Sequence, residues 1–519
     1  MFKLLSEILR NVPVDETGII ELSDVEVKNL QLDSRHISVG DLFIAYAGTQ
    51  QDGRKYIKQA IDNGAIAVIY DPSNFCLKET YPPDIILVPV INLIKYISLI
   101  ADNFFEHPSS KQNIYAVTGT NGKTSCAYFI TQLLAKLNNT PAGFIGTIGY
   151  GALHDQNALA KLDTTTPSPI KVQNILSEFH AGGVVDVAME ASSHALDQYR
   201  INYVNISTAI FTNLTQDHLD YHHTLDEYYE AKKKLFLFKG VKNIIINIDD
   251  PYGVRLVNDL QAEQWSQKNI FLYSLNSNIS DQFSFPCVIF NQSTNEIVIT
   301  GTRITSLHKP FVIPSHLIGT FNIYNLLAVV GALVSNDYKI DDILHKVSQI
   351  KAPPGRMEVF YSPIKNIQLI VDYAHTPDAL EKSLLSIKSH FVKGLNSIWC
   401  VFGCGGDRDP TKRPLMGKVA ATHADRLILT DDNPRTEEPA NIITDILKGF
   451  DNEVREHKVF AIINDRRSAI RTALTRANPN DVILIAGKGH EDYQIYGVTQ
   501  INYNEREFVA ELINDKTYS

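Results

Sequence analysis

The most constraining stretch of this 519-residue chain is 113–137, NIYAVTGTNGKTSCAYFITQLLAKL. A run rich in β-branched and aromatic residues meets a loop holding Gly119 and Gly122. That loop opens a segment whose apolar Ala127, Ile130, Leu133, Leu134 and Leu137 recur at helical spacing. Strand, glycine-rich loop, helix is the arrangement in which backbone N–H groups and the positive helix N-terminus cradle phosphates. Here Gly119, Thr120, Asn121, Gly122, Lys123 and Thr124 would form the cradle, with Lys123 neutralising the terminal phosphates and the Thr124 hydroxyl ligating Mg²⁺. Against G-x-x-x-x-G-K-[ST] the loop is shortened, with Val117 where the first glycine would fall, which argues against an ordinary GTPase. The bland alternative is a turn with an incidental lysine.

At about 100–200 residues per domain, the length suggests three domains. Residues 1–106 mix short apolar runs (DLFIAYAG, AIAVIY, DIILVPV) with amphipathic stretches, as in a small α/β unit. The polar HPSSKQ at 107–112 reads as a linker. From 113 to 350, β-rich runs precede helical ones: NIYAVTG then TSCAYFITQLLAKL, VVDVAME then SSHAL, KNIIINIDD then PYGVRLVNDL. This alternation predicts a mainly parallel sheet covered by helices. KAPPGR at 351–356 is a second boundary candidate. Beyond it IQLIVDYAH, SIWCVFGCGG, DRLILTDDN and DVILIAGKG each end in a polar or glycine-rich loop, as in an open Rossmann-like sheet with ligands beyond its carboxyl ends. The expected fold is therefore α/β in three domains, 1–110, 111–350 and 351–519, the middle one built on the phosphate loop.

Charge and cysteines narrow the partners. A net charge of −10 (48 Lys and Arg against 58 Asp and Glu) leaves no basic field for nucleic acid or an anionic membrane, so an anionic ligand must be held by local groups. Five scattered cysteines make no disulfide framework and fit a reducing cytoplasm. The N-terminal MFKLLSEILR lacks the apolar core of a signal peptide, and no run of about 18 apolar residues occurs, so membrane insertion is not expected.

Other candidates follow apolar runs. Glu190 in VVDVAMEASSHAL and His218 in TNLTQDHLDYHH could serve a metal; taken alone they are a surface carboxylate and a helix-capping histidine. Lys232, Lys233 and Lys234 in YYEAKKKLF read as a solvated helix face. Asp372 and His375 in VDYAHTP sit where a carboxylate could bind a ribose or order a water, or simply make a turn. GCGGDRDPTKRP offers Arg408, Lys412 and Arg413 to an anion. Asp432, Asn433, Pro434 and Arg435 offer a guanidinium to a carboxylate, and Gly487 to Glu491 a carboxylate to an ammonium. An Arg and a Glu at neighbouring strand ends match an amino acid, one group for each charge. Cys400 and Cys404, two thiols without another pair, read as packing rather than a zinc site.

Eleven motifs then occur in order: TGTNGKTS, TTTPSP, MEASSHAL, NLTQDHLDYH, AKKKLF, GTFNIYN, PPGRMEV, VDYAHTPDAL, FGCGGDRD, TDDNPRTEEP and AGKGHEDYQ. Together they resemble the Mur ligases of peptidoglycan synthesis over nearly the whole chain. DNPR is most similar to the branch that adds meso-diaminopimelate to UDP-N-acetylmuramoyl-L-alanyl-D-glutamate. The resemblance implies a monomeric, cytoplasmic, three-domain enzyme: an N-terminal UDP-sugar-binding domain, a central ATP-binding domain and a C-terminal amino-acid-binding domain. ATP would phosphorylate the terminal D-Glu carboxylate, and the incoming amine would attack the acyl phosphate. By motif, Ser125 joins the phosphate-binding residues, Thr124 and Glu190 assist Mg²⁺, and His218 helps hold a second metal. Lys232 aligns with the family's modified lysine in A-K-x-x-L-F, a carbamate that ligates metal. Asn322, Arg356, Asp372 and His375 fall where the family contacts ATP. Leu32, Ser34, Thr49, Gln50, Gln51, Thr164, Thr165, Thr166, Ser192, Gln198 and Arg200 fall at the UDP-sugar peptide. Arg408, Asp432, Asn433, Pro434, Arg435, Gly487 and Glu491 fall at the amino acid.

Three rivals remain in view. A lysine-adding ligase of the same family is disfavoured by the arginine of DNPR. Folylpolyglutamate synthase shares the loop and the modified lysine but would not be expected to carry the N-terminal UDP-binding segment or DNPR. A guanine-nucleotide switch would need an N-K-x-D element, and the chain has none.

Overall fold

The apolar runs of the N-terminal stretch become the strands Asn29–Gln31, Asp41–Ala45, Ala67–Tyr70 and Ile86–Pro89, paired in parallel in that order. Side chains alternate across the sheet: Leu42 and Ile44 pack with Ile97, Ile100 and Phe104 of one helix, while Phe43 and Ala45 pack with Ile57 and Ala60 of another. Both faces are buried, so the strand reads as a continuous apolar run. The computed structural model describes residues 2–14, 25–48, 51–77, 81–82, 85–154, 159–262, 268–276, 285–301, 304–314, 317–391 and 396–514. The chain divides into two compact units, one of Met1–Ile289, Val298–His308 and Ala328–Ile343, the other of Phe290–Ile297, Lys309–Leu327 and Leu344–Ser519.

In the first unit the run before the phosphate loop is the strand Asn113–Thr118, central in a ten-stranded sheet between Ile206–Phe211 and Asp186–Glu190. All three run parallel, and the register sets Glu190 beside Val117 and Phe211 beside Thr118. Three loops therefore leave one edge of the sheet at one level. Asn243–Asn247 and Asn269–Ser274 extend it in parallel, and Ala142–Gly146 turns back into the antiparallel Gly149–Leu153. The predicted helix is Lys123–Asn138, with Ala127, Ile130, Leu133 and Leu134 fully buried. Part of HPSSKQ is packed against the first unit. Ser109 is buried, its hydroxyl accepting Asn205 N–H (2.9 Å), and Gln112 Nε2 donates to Val184 O (3.0 Å).

The second unit holds a six-stranded sheet in the order Glu358–Ser362, Ile367–Asp372, Val482–Ala486, Ile398–Phe402, Arg426–Leu429, Val459–Ile462. Only the first pair is antiparallel. The four strands predicted from sequence are the inner ones; the two outer strands are half exposed and carry no continuous apolar signal. Helices bury both faces, Leu380, Leu384 and Ile387 on one side and Ile470, Leu474 and Val509 on the other. All five cysteines are free thiols; Cys400 and Cys404 are buried, which pushes each thiol up to about 12 and fits a packing role. Among the described residues no helix is long and apolar enough to cross a membrane.

Candidate active site

The phosphate loop is shaped by the segment after Ile206–Phe211. Gly119 has φ +148°, and a Cβ there would sit 1.9 Å from Thr212 Oγ1, so only glycine fits. Gly122 at φ +85° turns the chain into the helix. Thr120 N–H donates to Asn213 O (2.8 Å), Asn121 N–H to Asn213 Oδ1 (2.9 Å), and Thr212 Oγ1 to Asn121 O (2.6 Å). The loop is thus clamped along its length, a preorganised shape rather than a flexible turn. Lys123 Nζ donates to Gly119 O (2.9 Å) and Thr120 O (2.8 Å). Thr124 and Ser125, in the first turn of the helix, are almost wholly buried.

The three lysines separate. Lys233 pairs with Asp259 (3.0 Å) and Lys234 with Asp197 (2.6 Å) on the helix surface. Lys232 is 1 % exposed, donates to Gly119 O (2.8 Å), and lies 4.2 Å from the Tyr228 ring centroid. Burial, then the charge of Lys123, holds its ammonium well below the usual lysine range, with Asp217 opposing. The lowered lysine favours the neutral amine, the form that can take up CO₂, releasing a proton and leaving a carbamate. Position on the helix, which the charge run hides, sets this lysine apart.

His218, left-handed at φ +54°, stands just before the short helix Leu219–His222 and packs against His194 (4.9 Å between ring centroids). Burial is the main cause that depresses it to about 4, with Lys123, His194 and Lys232 adding to the shift and Asp217 opposing it, so the imidazole is neutral and available as a ligand. Glu190 is fully buried at its strand end; Thr147 donates its N–H to Oε1 (2.7 Å) and its hydroxyl to Oε2 (3.1 Å). No cluster of three or more His, Cys, Asp or Glu side chains able to hold a metal is found among the described residues. The donor set is instead single and mixed: the Thr124 hydroxyl, the Glu190 carboxylate, the neutral His218. The two oxygen donors fit Mg²⁺, which keeps several waters and draws ligands from substrate phosphates, while the imidazole is a nitrogen donor of another kind. Asp217 was not singled out from sequence, although it adjoins His218 in the quoted motif and acts on both His218 and Lys232.

Beside this lies a cavity of about 810 Å³ lined in part by Tyr46, Gly48, Thr164, Lys171, Gln198 and Arg200. Arg200 Nη1 donates to Thr166 O (2.8 Å) and its Nη2 to Gln198 Oε1 (2.6 Å). Burial lowers its guanidinium from the ordinary range, with Tyr46 and Tyr221 opposing. Thr166 Oγ1 donates to Glu190 O (2.7 Å) and accepts Ser192 N–H (3.1 Å); Thr165 Oγ1 meets Thr147 Oγ1 (3.1 Å). The threonine triplet, Ser192, Gln198, Arg200 and Glu190 thus form one network. Leu32 and Ser34 follow the strand Asn29–Gln31 and Gln51 follows Asp41–Ala45, both at carboxyl ends. Ser34 is buried, its hydroxyl donating to Gln59 Oε1 (2.8 Å). Thr49 and Gln50 lie outside the described residues.

In the second unit, Asp372 is a clamp: Oδ1 accepts Met357 N–H (3.0 Å) and Oδ2 accepts the Ser383 hydroxyl (2.6 Å). Arg356 lies over the Tyr373 ring (4.5 Å), with the rings of His375 (4.6 Å) and His490 (4.9 Å) against the same tyrosine. Asn322 is buried in its own helix, donating to Ile318 O (2.8 Å). Arg413, an anion-binding candidate by sequence, is an internal ion pair with Glu437 (2.8 Å) and Asp445 (2.9 Å), and Lys412 donates to His375 O (3.0 Å). Arg408 is exposed. Arg435, half-buried at φ +52°, is fixed by its N–H on Ile495 O (3.0 Å) and by Nη1 on Gly406 O (2.7 Å). Asn433 Nδ2 donates to Glu491 Oε2 (3.0 Å), and Gly487 at φ +113° passes so close to Asp432 that a Cβ would lie 2.5 Å from Oδ2. Pro434 links these to Arg435. Residues read from separate motifs therefore converge, with one unforeseen member: Lys488, hidden in a glycine-rich string that reads as a flexible loop.

Three family models match in succession: "Mur ligase family, catalytic domain" over 26–105, "Mur ligase middle domain" over 117–333, and "Mur ligase, glutamate ligase domain" over 355–489. The chain belongs to the Mur ligase family. Its three-domain α/β organisation is that of the family. A UDP-N-acetylmuramoyl-L-alanyl-D-glutamate–2,6-diaminopimelate ligase of Coxiella burnetii is 43% identical over 485 residues, covering 93% of this chain and 95% of its own. That of Pseudomonas putida is 41% identical over 476 residues, covering 91% and 92%. A solved structure of a ligase of the same name is 32% identical, covers both chains fully and superposes with a TM-score of 0.66. The Mur ligase fold extends to a MurF ligase of Thermotoga maritima solved in complex with ADP, at 16% identity, 94% and 97% coverage and a TM-score of 0.55.

Proposed function

We propose that this Mur ligase is the ATP-dependent cytoplasmic enzyme that joins meso-2,6-diaminopimelate to UDP-N-acetylmuramoyl-L-alanyl-D-glutamate. The observation that carries the reading is that a half-buried guanidinium on Arg435 and the Glu491 carboxylate, which Asn433 holds, follow strands on either side of Ile398–Phe402 in one sheet, in a chain over 40% identical to ligases named for that reaction. Diaminopimelate is lysine with a second carboxylate at its far end. A site that buries a guanidinium for that group strands it when lysine binds, at a cost of several kcal/mol, whereas a tenfold preference needs only about 1.4 kcal/mol.

In the chemistry, a D-Glu carboxylate oxygen attacks the γ-phosphorus of ATP and ADP leaves. The amine of diaminopimelate then attacks the acyl phosphate carbon, and the tetrahedral adduct expels phosphate, leaves the amide and loses the ammonium proton. The loop Gly119, Thr120, Asn121, Gly122, Lys123, Thr124 and Ser125 orients the phosphates through a backbone clamped in advance, and Lys123 offsets their charge. Mg²⁺ would be held with the help of Thr124 and Glu190, His218 would help hold a second metal, and bound Mg²⁺ would supply charge neutralisation at the phosphates. Lys232, as a carbamate formed from its neutral amine, would become an anion able to ligate metal. Asn322, Arg356, Asp372 and His375 serve ATP in this reading. Leu32, Ser34, Thr49, Gln50, Gln51 and the Thr164 to Arg200 network serve the UDP-sugar peptide. Arg408 joins the Asp432 to Glu491 set at the amino acid.

The test is phosphate release from ATP and Mg²⁺ with the UDP-muramoyl dipeptide and each amino acid in turn. Release with diaminopimelate and not with L-lysine supports the reading. Equal kcat/KM with lysine would assign the lysine-adding reaction instead, and no release with any amino acid would sink the ligase reading.

A further inference from the structure

Lys488 is completely buried, yet its ammonium is surrounded by the residues just assigned to the amino acid. Nζ donates to Glu491 Oε2 (2.7 Å) and to Asn433 Oδ1 (3.1 Å), and stands 3.7 Å from Asp432 Oδ1. Ile495 N–H also donates to Asn433 Oδ1 (3.1 Å). Two donors on one oxygen settle which way the amide faces: its NH₂ must point to Glu491, as its 3.0 Å contact with Oε2 shows. Both bonds to Glu491 within this cluster use Oε2, so Oε1 is the oxygen turned to other work.

Charge gives the arrangement a second meaning. Asp432 and Glu491 would together place two negative charges in a nearly dry pocket, where like charges repel. With Lys488 among them the set is one negative charge, the complement of one ammonium group. We propose that Lys488 is the positioning residue of the amino-acid site: it fixes the Asn433 amide and the Glu491 carboxylate, and it cancels one carboxylate so that the site receives the amino acid through a single ammonium. Lys488 touches no reacting atom; it acts through Asn433 and Glu491. The assignment rests on the proposed amino-acid site, and on nothing in the nucleotide loop.

The experiment uses the full-length enzyme. Wild type is assayed first for phosphate release with the UDP-muramoyl dipeptide and diaminopimelate; failure there would refute the functional reading and not the role of Lys488. Lys488→Met is then compared. Removing one partner of a buried charge pair should raise KM for diaminopimelate about 30-fold or more, with KM for ATP and for the UDP-dipeptide within about twofold. With the cation gone, the acidic limb of kcat/KM for diaminopimelate should move to higher pH, because the two carboxylates hold protons more strongly. Lys488→Arg, which keeps the charge, should return the acidic limb toward its wild-type position even where KM stays raised. If Lys488→Met destabilises the fold, the double variant Lys488→Met/Glu491→Gln removes the stranded charge and should restore thermal stability but not KM. An unchanged KM for diaminopimelate in a folded Lys488→Met would overturn the proposal, as would an equal rise in all three KM values with no shift in the pH profile.

Discussion

Replacing Arg435 with glycine separates what this residue does for the fold from what it does for the substrate. Arg435 sits at φ +52°, a left-handed conformation that costs a residue with a side chain about 1 kcal/mol. Its backbone is held there because its N–H donates to Ile495 O (3.0 Å) and its carbonyl accepts Gly497 N–H (2.7 Å). Glycine relieves that strain but adds about 0.5–1 kcal/mol of chain entropy to the unfolded state. It also loses the Nη1 bond to Gly406 O, at about 1.5 kcal/mol for a charged donor. The net destabilisation is about 1 kcal/mol, a small shift in a urea or thermal unfolding midpoint. The effect on the substrate is of another size: stranding the far carboxylate costs about 2–5 kcal/mol, or about 30-fold to several thousandfold in kcat/KM for diaminopimelate. The assay is phosphate release against amino-acid concentration, with nucleotide affinity measured separately. A loss below tenfold, or equal losses toward diaminopimelate and ATP, would refute the carboxylate assignment.

Gly355→Ala should destabilise by about 3 kcal/mol or prevent folding, since a Cβ at φ +66° would lie 2.2 Å from Gly489 C and His490 N; urea unfolding checks it, and a near-native midpoint would contradict the packing. Lys232→Met should abolish phosphate release while the enzyme still binds ATP, and rigorous removal of CO₂ should lower wild-type activity reversibly; activity indifferent to CO₂ would argue against the carbamate. His222 is depressed to about 4, chiefly by burial and then by His194, and His490 to about 3, chiefly by burial and then by Arg356. Each native pKa lies below that of the unfolded histidine, so stability is full above pH 6.5 and falls as pH drops toward 4, by up to about 1.4 kcal/mol per pH unit for each histidine. Unfolding midpoints measured across that window should show the slope, and His222→Gln should lessen it, leaving the contribution of His490. Glu505→Gln breaks the fully buried pair with Arg466, whose Nη2 also holds Ala486 O (2.8 Å); it should cost about 3–5 kcal/mol and raise KM for the amino acid more than for ATP.

Much of this molecule is written in its sequence because parallel strands buried on both faces are continuous apolar runs, and their loops leave from carboxyl ends. That made Asn113–Thr118, Ile367–Asp372 and Val482–Ala486 readable together with the residues just after them. What escaped was decided by partners distant in the chain. Arg413 looks like an anion ligand until Glu437 and Asp445 are seen to hold it, and the partners that fix the Asp372 carboxylate, Met357 and Ser383, are not visible from its motif. Three successive lysines are alike as letters; the helix buries one and exposes two to ion pairs. Lys488, flanked by glycines, gives no periodic signal at all, and only the convergence of Asn433, Glu491 and Asp432 reveals it.

The meeting of Gly355 with Gly489 also bears on how substrates sense one another. Neither residue has a side chain to yield, and each would drive a Cβ into the other's main chain: 2.2 Å one way, 2.6 Å to Gly355 O the other. One strip of backbone carries Arg356, assigned to the nucleotide, and the other carries Lys488 and Glu491, assigned to the amino acid. A shift of either strip must push on its neighbour through peptide groups as well as through the Tyr373 ring, on which Arg356 and His490 both lie. Such a seam is a rigid bearing: its backbone contact exists only because both positions lack a Cβ.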